Sequence, residues 1–195
     1  MKDTKKFFKI TFAGIMIALM AVFSWTVLGM VPLGTLSATT VFIPVVVGII
    51  ILDDFRYTIL LSLSFGLMSL IRALSPQGAF DGLFINPCVS VLPRLIMGLL
   101  TNLFYRFISK NLKNKNICAM LTGGVCALTN TFFTISSLII FCFNDLMAYL
   151  QTIDNFTIFT FITTIMLTNM IPEIVLGMIV CYAVFKVYNS IKAEE

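Results

Sequence analysis

Long uncharged stretches alternate with short basic clusters along this chain of 195 residues. Residues 10–52 and 116–144 contain no charged side chain. A crossing of the hydrocarbon core takes about 20 apolar residues, and loops rich in Lys and Arg favour the cytoplasmic side. The alternation therefore predicts an integral membrane protein with cytoplasmic basic loops. All Lys and Arg residues except Arg72 and Arg94 lie in the clusters Lys2/Lys5/Lys6/Lys9, Arg56, Arg106/Lys110/Lys113/Lys115 and Lys186/Lys192.

The composition excludes several classes of protein. Hydrophobic residues make up 59% of the chain and charged residues 11%, whereas soluble domains average about 25% charged. The net charge of +4 lies in lysines that flank the apolar stretches, so we expect a lipid bilayer around the chain and no nucleic-acid partner. The sequence has no His, and its five Cys residues form no CxxC motif. We therefore expect no catalytic residue, no enzyme activity and no metal site.

We predict an all-α integral membrane protein with six transmembrane helices and with cytoplasmic N- and C-termini. The predicted helices cover about residues 7–29, 40–53, 57–74, 87–109, 117–142 and 157–188, and the whole chain, residues 1–195, forms one membrane-embedded domain. The second helix is short for a full crossing, and a short helix at membrane depth must pack in protein or line a cavity. Polar residues gather toward the outer ends of the third and fourth helices, so the inner halves are expected to be dry.

A few polar side chains fall at membrane depth, where a charge costs roughly 2.5–3.5 kcal/mol on insertion scales. Asn86, Ser90 and Arg94 are spaced at i, i+4 and i+8, which places them on one helical face. Asn169 and Glu173 are likewise four residues apart. Candidate ligand-binding residues from this pattern are Arg72, Asn86, Ser90, Arg94, Asn130, Asn169 and Glu173.

Two interpretations of these groups stay open. In one, Arg94 and Glu173 pair and lock two helices together. In the other, Arg94 or Arg72 binds an anionic ligand group in a cavity open to the outside, since the planar guanidinium holds a carboxylate through two parallel hydrogen bonds. The Asn side chains would then bind ligand hydroxyls or amides, although hydrogen bonds between helices would explain them equally well.

The first helix carries small residues on one face. Gly14 and Ala18 form a small-xxx-small pair, and Ala21 lies one turn further on. Small residues let another helix approach closely in a membrane, where packing contacts drive association. The neighbouring helix could belong to this chain or to a partner.

The run Gly14-Ile-Met-Ile-Ala18 resembles the AxxxA-type pattern of the S components of energy-coupling factor (ECF) vitamin transporters. Three further segments resemble the pantothenate-type branch of that family, and together the matches cover most of residues 10–110. They are Ala38-Thr39-Thr40-Val41-Phe42-Ile43-Pro44-Val45, Phe65-Gly66-Leu67-Met68-Ser69-Leu70, and Asn86-Pro87 through Pro93-Arg94 and Gly98.

The resemblance implies a six-helix subunit of the bacterial cell membrane that binds a small vitamin from outside. It implies docking, through Gly14, Ala18 and Ala21, on an ECF module of a transmembrane coupling protein and two ATPase subunits. ATP would be used by those partners, and this chain would carry no cofactor. The loop over residues 29–40 would act as a lid, which adds Thr39 and Thr40 to the candidate ligand-binding residues.

The sequence departs from the pantothenate-type pattern in two places. Relatives often have His where this chain has Phe42, and a Gly-Pro pair where it has Asp53-Asp54. Pantothenate, with its carboxylate, hydroxyls and amide, is the best match to an Arg and several Asn residues. Other vitamins or precursors match as well, and a stand-alone small transporter or channel is the alternative.

Overall fold

The fold is a helical bundle with one small β-hairpin, seen in a computed structural model that describes residues 2–26, 29–33, 36–75, 81–152 and 157–194. The helices and strands are α1 (Lys2–Trp25), β1 (Met30–Leu33), β2 (Leu36–Thr39), α2 (Phe42–Leu52), α3 (Phe55–Ala73), α4 (Pro87–Ser90), α5 (Leu92–Asn111), α6 (Lys115–Phe141), α7 (Phe143–Gln151), α8 (Ile158–Ile165) and α9 (Ile171–Glu194). A 3₁₀ turn, Asp81–Ile85, precedes α4, and a π-helical segment, Met166–Met170, joins α8 to α9.

The predicted helical class is confirmed. In the described residues, five helical stretches are long and apolar enough to cross a membrane, and α2 is a sixth, shorter apolar helix. Large apolar side chains point away from the bundle on its outer helices, which is the reverse of a soluble protein. Phe107, Phe132, Ile140 and Val187 are examples, all more than half exposed. The five long stretches are Thr4–Trp25, Phe55–Ala73, Pro87–Asn111, Lys115–Phe141 and Ile158–Lys192.

The predicted outer loop at 30–39, between α1 and α2, contains a small β-hairpin, which leaves the all-α class unchanged. There, β1 and β2 pair antiparallel, in a register that runs from Met30↔Thr39 to Leu33↔Leu36. Likewise, the predicted outer loop at 143–156 contains the helix α7. Neither segment has a long apolar run, so hydropathy alone gave no signal for ordered structure.

Two predicted helices are interrupted, and a proline lies beside each interruption. The predicted helix at 87–109 breaks at Val91, between α4 and α5, and Pro93 lies in the first turn of α5. The predicted helix at 157–188 widens into the π-helical segment just before Pro172, where the N–H of Ile171 bonds to the carbonyl of Met166. Proline cannot donate to the preceding turn and its ring crowds that turn, so each helix restarts or widens there.

Helix α2 lies at the centre of the bundle. It packs against α1, α3, α5, α6 and α9, and nine of its eleven residues are buried. This agrees with the requirement that a short helix at membrane depth be enclosed by protein. At 1.5 Å per residue it is about 16 Å long, roughly half of the 30 Å hydrocarbon core. The hairpin occupies the chain immediately before it.

The basic clusters meet at one end of the bundle, which we call the basic end. There Lys9 contacts Asp54, Arg106 contacts Asp53, and Asn189 bonds to Asn116. The opposite end carries the hairpin, the 3₁₀ turn and α7, and we call it the hairpin end.

Buried polar side chains also lie in the half of the bundle nearer the basic end. Asn102 on α5 donates a hydrogen bond of 2.9 Å to the hydroxyl of Thr58 on α3. Ser62 and Thr101 are fully buried nearby on the same two helices. Hydropathy did not show this cluster, because polar residues 44 positions apart in sequence meet only across a helix interface.

The turn between α2 and α3 explains one departure from the family pattern. Asp53 has φ 42° and ψ 48°, the left-handed conformation that favours glycine but that Asp tolerates. Asp54 then caps α3 by accepting a hydrogen bond from the Arg56 N–H at 3.1 Å. It also accepts one from Lys9 Nζ at 2.9 Å, and this bond holds the pKa of Asp54 below its usual value.

Replacing Asp54 separates its two roles. Asp54→Asn keeps a good cap and removes the ion pair, so unfolding free energy should fall by less than about 1 kcal/mol. Asp54→Ala also removes the cap and should cost about 1 kcal/mol more. Because the folded state lowers the pKa of Asp54, its stabilisation is complete above the ordinary value of 3.8 and is lost as pH falls below it. Thermal unfolding in detergent between pH 7 and 3 measures this, and a D54N protein with unchanged pH dependence would contradict the assignment.

Helices α6 and α9 touch backbone to backbone at Gly123 and Gly177. A Cβ added at Gly177 would lie 2.7 Å from the carbonyl oxygen of Gly123, and one added at Gly123 would overlap the carbonyl of Gly177. The close approach brings the ring of Phe42, on the central helix, against Gly177 as well.

We expect Gly177→Ala to destabilise the bundle by about 1–3 kcal/mol, since backbone atoms cannot move aside as a flexible side chain can. Gly14→Ala is the matched control, because a Cβ there meets no atom within 4 Å and alanine favours the helix. Thermal unfolding of both variants in one detergent is the measurement. Equal stability of the G177A protein and the wild type would show that the two helices can separate without cost.

Candidate ligand-binding site

Arg94, in the first turn of α5, is a buried cation without an acidic partner in the described part of the chain. Its side chain is 6% exposed, and Nη1 donates a hydrogen bond of 2.7 Å to the carbonyl of Val89. Its Nε has no hydrogen-bond partner among the described residues. The guanidinium carbon lies 5.5 Å from the ring centre of Phe65 and 5.3 Å from that of Phe84. The site thus holds a desolvated guanidinium between two aromatic rings, with one N–H unused.

The segment before α5 forms a cover beside Arg94. Phe84 belongs to the 3₁₀ turn, and the hydroxyl of Ser90 donates hydrogen bonds to the carbonyls of Phe84 and Asn86. Asn86 caps α4 by accepting from the Cys88 N–H at 3.0 Å, and its amide nitrogen lies 3.7 Å from the sulfur of Cys142. Of the three residues predicted to share a face, Arg94 keeps a free donor, whereas the other two bond to neighbouring protein atoms.

Glu173, in the first turn of α9, is 2% exposed and binds two other elements. Its Oε1 accepts a hydrogen bond from the backbone N–H of Thr39 at 2.8 Å, and its Oε2 accepts one from Thr131 Oγ1 at 2.9 Å. Asn130 interacts with this carboxylate as well, while the Oδ1 of Asn130 has no partner in the described residues. A buried carboxylate therefore ties the end of β2 to α6 and α9.

Arg94 and Glu173 interact electrostatically but form no direct ion pair in the part of the chain that the structure describes. The interpretation in which Arg94 and Glu173 form an ion pair that locks their helices together is therefore wrong. Each charge instead has its own surroundings, aromatic rings for Arg94 and hydrogen-bond donors for Glu173.

The other predicted residues lie around this core in different ways. The N–H of Thr40 donates to the carbonyl of Gly29 at 3.0 Å, which closes the base of the hairpin, and the hydroxyl of Thr40 is buried. Asn169 lies in the π-helical segment and accepts a bond from Thr168 Oγ1 at 3.0 Å. Arg72 is half-buried at the end of α3 and interacts with Asp81, on the 3₁₀ turn.

Phe84 and Thr131 contribute to the site although the sequence pattern did not select them. Thr131 follows Asn130 directly, and adjacent polar residues in an apolar helix are a signal that could have found it. Nothing in the sequence placed Phe84 against Arg94. A separate cavity of about 480 Å³ lies at the hairpin end, and its lining residues are Gly82, Leu83, Asn86, Phe141, Cys142, Asp145, Ala148 and Tyr149.

Phe42 stands where the pantothenate-type pattern often has His, and its ring is fully buried in the core against Gly177. At this position the chain offers the site no polar group. Within the described ranges, no three Cys, Asp or Glu side chains come together in a way that could hold a metal ion.

The small residues of α1 divide between two faces. Gly14 and Ala18 are exposed, and a Cβ built at Gly14 meets no atom within 4 Å. Ala21 is half-buried, whereas Ala13 is 2% exposed and packs in the core. The face of α1 that carries Gly14 and Ala18 therefore does not pack against the described part of the bundle.

A protein-family model described as "ECF transporter, substrate-specific component" matches residues 8–185. No curated protein matches the chain. The family match spans every helix of the bundle and all of the site residues described above. The chain therefore belongs to the substrate-specific components of ECF transporters, which are membrane-embedded transporter subunits and not enzymes.

Proposed function

We propose that this chain captures a small vitamin, with pantothenate as the best candidate, from outside a bacterial cell and delivers it by docking on an ECF module. The observation that carries the proposal is Arg94, a buried cation with an unused N–H and no acidic partner among the described residues. A buried charge of this kind costs several kcal/mol, which a bound anion would offset.

The unused hydrogen-bonding atoms suggest the chemistry of the ligand. Arg94 Nε offers a donor for a carboxylate, and Asn130 Oδ1 offers an acceptor for a hydroxyl or an amide N–H. Pantothenate carries all three groups. Other small vitamins or precursors with a carboxylate and a nearby donor meet the same requirement, so the proposal rests on this ligand class first and on pantothenate second.

The proposed arrangement in the membrane is one domain over residues 1–195 with six crossings, α2 among them, and both termini in the cytoplasm. The basic end then faces the cytoplasm, as the positive-inside rule favours. The hairpin end, which is nearer to Arg94, faces outside. In this orientation the ligand reaches the site from the external solution.

For docking we propose the exposed face of α1 around Gly14, Ala18 and Ala21. A helix of the coupling protein could approach α1 closely at Gly14 and Ala18, because these small residues are exposed and a Cβ at Gly14 meets no atom within 4 Å. ATP would be hydrolysed by the two ATPase subunits of the module, and this chain would need no cofactor of its own.

The first test is native mass spectrometry of the purified chain, followed by thermal-shift titration with pantothenate and a panel of other vitamins. A co-purified small acid, or one panel member that stabilises the chain at low micromolar concentration, would support the proposal and name the ligand. Absence of any bound or stabilising compound would count against it.

We expect Arg94→Gln to weaken binding of the stabilising vitamin about 10- to 100-fold, since hydrogen bonds to a charged group contribute about 1.5–3 kcal/mol. Its thermal stability without ligand should stay equal or rise, because an unpaired buried charge has been removed. Arg106→Gln, at the exposed basic end, is the control and should leave affinity unchanged. A large loss of stability with unchanged affinity would mean that Arg94 serves the fold alone.

The double variant Gly14→Leu and Ala18→Leu should keep ligand affinity and lose uptake, since both side chains project from the bundle. Uptake is measured in liposomes that contain the reconstituted ECF module and ATP, and affinity on the isolated chain. Ile15→Leu, an exposed apolar exchange on the same helix, is the matched control. Loss of affinity in the double variant would place this face inside the folded chain.

A second function, a self-contained small transporter, draws on the buried polar groups near the basic end. Ser62 Oγ and Thr101 Oγ1 have no partner among the described residues. Hydroxyl groups that line a polar path for a solute would have this property. Against this, Asn102 and Thr58 bond to each other across the helix interface. Ligand flux into liposomes that hold this chain without any ATPase would favour the second function over the first.

A further inference from the structure

In the proposed six-crossing arrangement the hairpin joins the central helix at membrane depth, so the backbone N–H of Thr39 needs a partner there. Thr39 ends β2, and α2 begins three residues later with a length of only about 16 Å. Water cannot satisfy backbone groups in the hydrocarbon region, so each one needs a partner within the protein. The N–H of Thr39 finds its partner in Glu173, 134 positions away in sequence.

The acceptor is a carboxylate, and it is held firmly in place. Glu173 lies directly after the π-helical segment and Pro172, where α9 is widened. Strand β2 packs against that segment and against α9. The bond from Thr131 Oγ1 fixes the second carboxylate oxygen on α6. Two short hydrogen bonds to one buried side chain, 2.8 Å from Thr39 and 2.9 Å from Thr131, therefore link the hairpin to two helices.

The bonding of Glu173 also argues against a direct role in holding ligand. Both of its oxygens accept hydrogen bonds from protein groups, the backbone of Thr39 and the hydroxyl of Thr131. Arg94 interacts with it only at a distance. A ligand would have to displace these donors in order to reach the carboxylate.

We propose that Glu173 is a positioning residue, a latch whose carboxylate fastens the end of β2 to α6 and α9 and so controls how often the hairpin opens. The latch itself concerns the chain without ligand. Its importance for capture rests on the proposed function, since the hairpin would open and close beside the Arg94 site.

The test is amide hydrogen exchange, followed by mass spectrometry, on the full chain in lipid nanodiscs without ligand. In Glu173→Ala the amides of β2, Thr39 included, should exchange about tenfold faster or more, because a buried N–H that loses its partner shifts an equilibrium constant by roughly 5- to 100-fold. Amides in the middle of α5 and α6 should be unaffected. Thr131→Val, which frees one carboxylate oxygen but keeps the charge, should give a smaller acceleration confined to the same strand.

Ser137→Ala is the matched control, since it removes a buried hydroxyl on α6 that bonds only within its own helix. It should leave exchange in β2 unchanged. If Glu173→Ala does not fold, Glu173→Met replaces it, because Met keeps a similar length and has no oxygen to accept a hydrogen bond from the Thr39 N–H. Unchanged exchange in β2, or equal acceleration throughout α6 and α9, would overturn the latch. Neither result depends on whether a vitamin binds, so failure of the latch and failure of the proposed function remain distinguishable.

Discussion

The short central helix is the constraint on which the rest of the structure depends. Helix α2 is only about half as long as the hydrocarbon core is thick. In the proposed six-crossing arrangement the chain before α2 therefore lies inside the membrane region without being helical, and its backbone groups need partners there. The pairing of β1 with β2 supplies partners between the two strands, and Glu173 supplies one for Thr39. The surrounding helices then enclose α2 on all sides, which explains why it is almost completely buried.

The same arrangement places charged residues where each has a different environment. Glu173 is used by the hairpin and by α6, whereas Arg94 meets aromatic rings and a single backbone carbonyl. Phe84 reaches Arg94 because Ser90 holds the carbonyl of the 3₁₀ turn against α4. The residues that cover Arg94 are therefore held by contacts between sequence neighbours around Pro87. The hairpin lies farther away in sequence and is attached through Glu173.

The sequence was sufficient for the long apolar helices, since these follow from hydropathy, but it did not predict α7 or the breaks beside Pro93 and Pro172. It was sufficient as well for the family, which the match over residues 8–185 confirms. It could not supply the hairpin, because strands of four residues carry too little pattern. Nor could it pair Thr39 with Glu173 or Asn102 with Thr58, since such partners are decided by which helix faces meet after packing.

Separation of the two buried charges has an energetic consequence for the proposed site. If Glu173 were paired with Arg94, an incoming anion would first have to break that pair and leave a carboxylate uncompensated, at a cost of several kcal/mol. Because the carboxylate is satisfied by Thr39 and Thr131, the guanidinium keeps an N–H free for the ligand. The anion would then bind a desolvated cation flanked by aromatic rings and would not compete with an internal partner. A site preorganised in this way binds its ligand tightly.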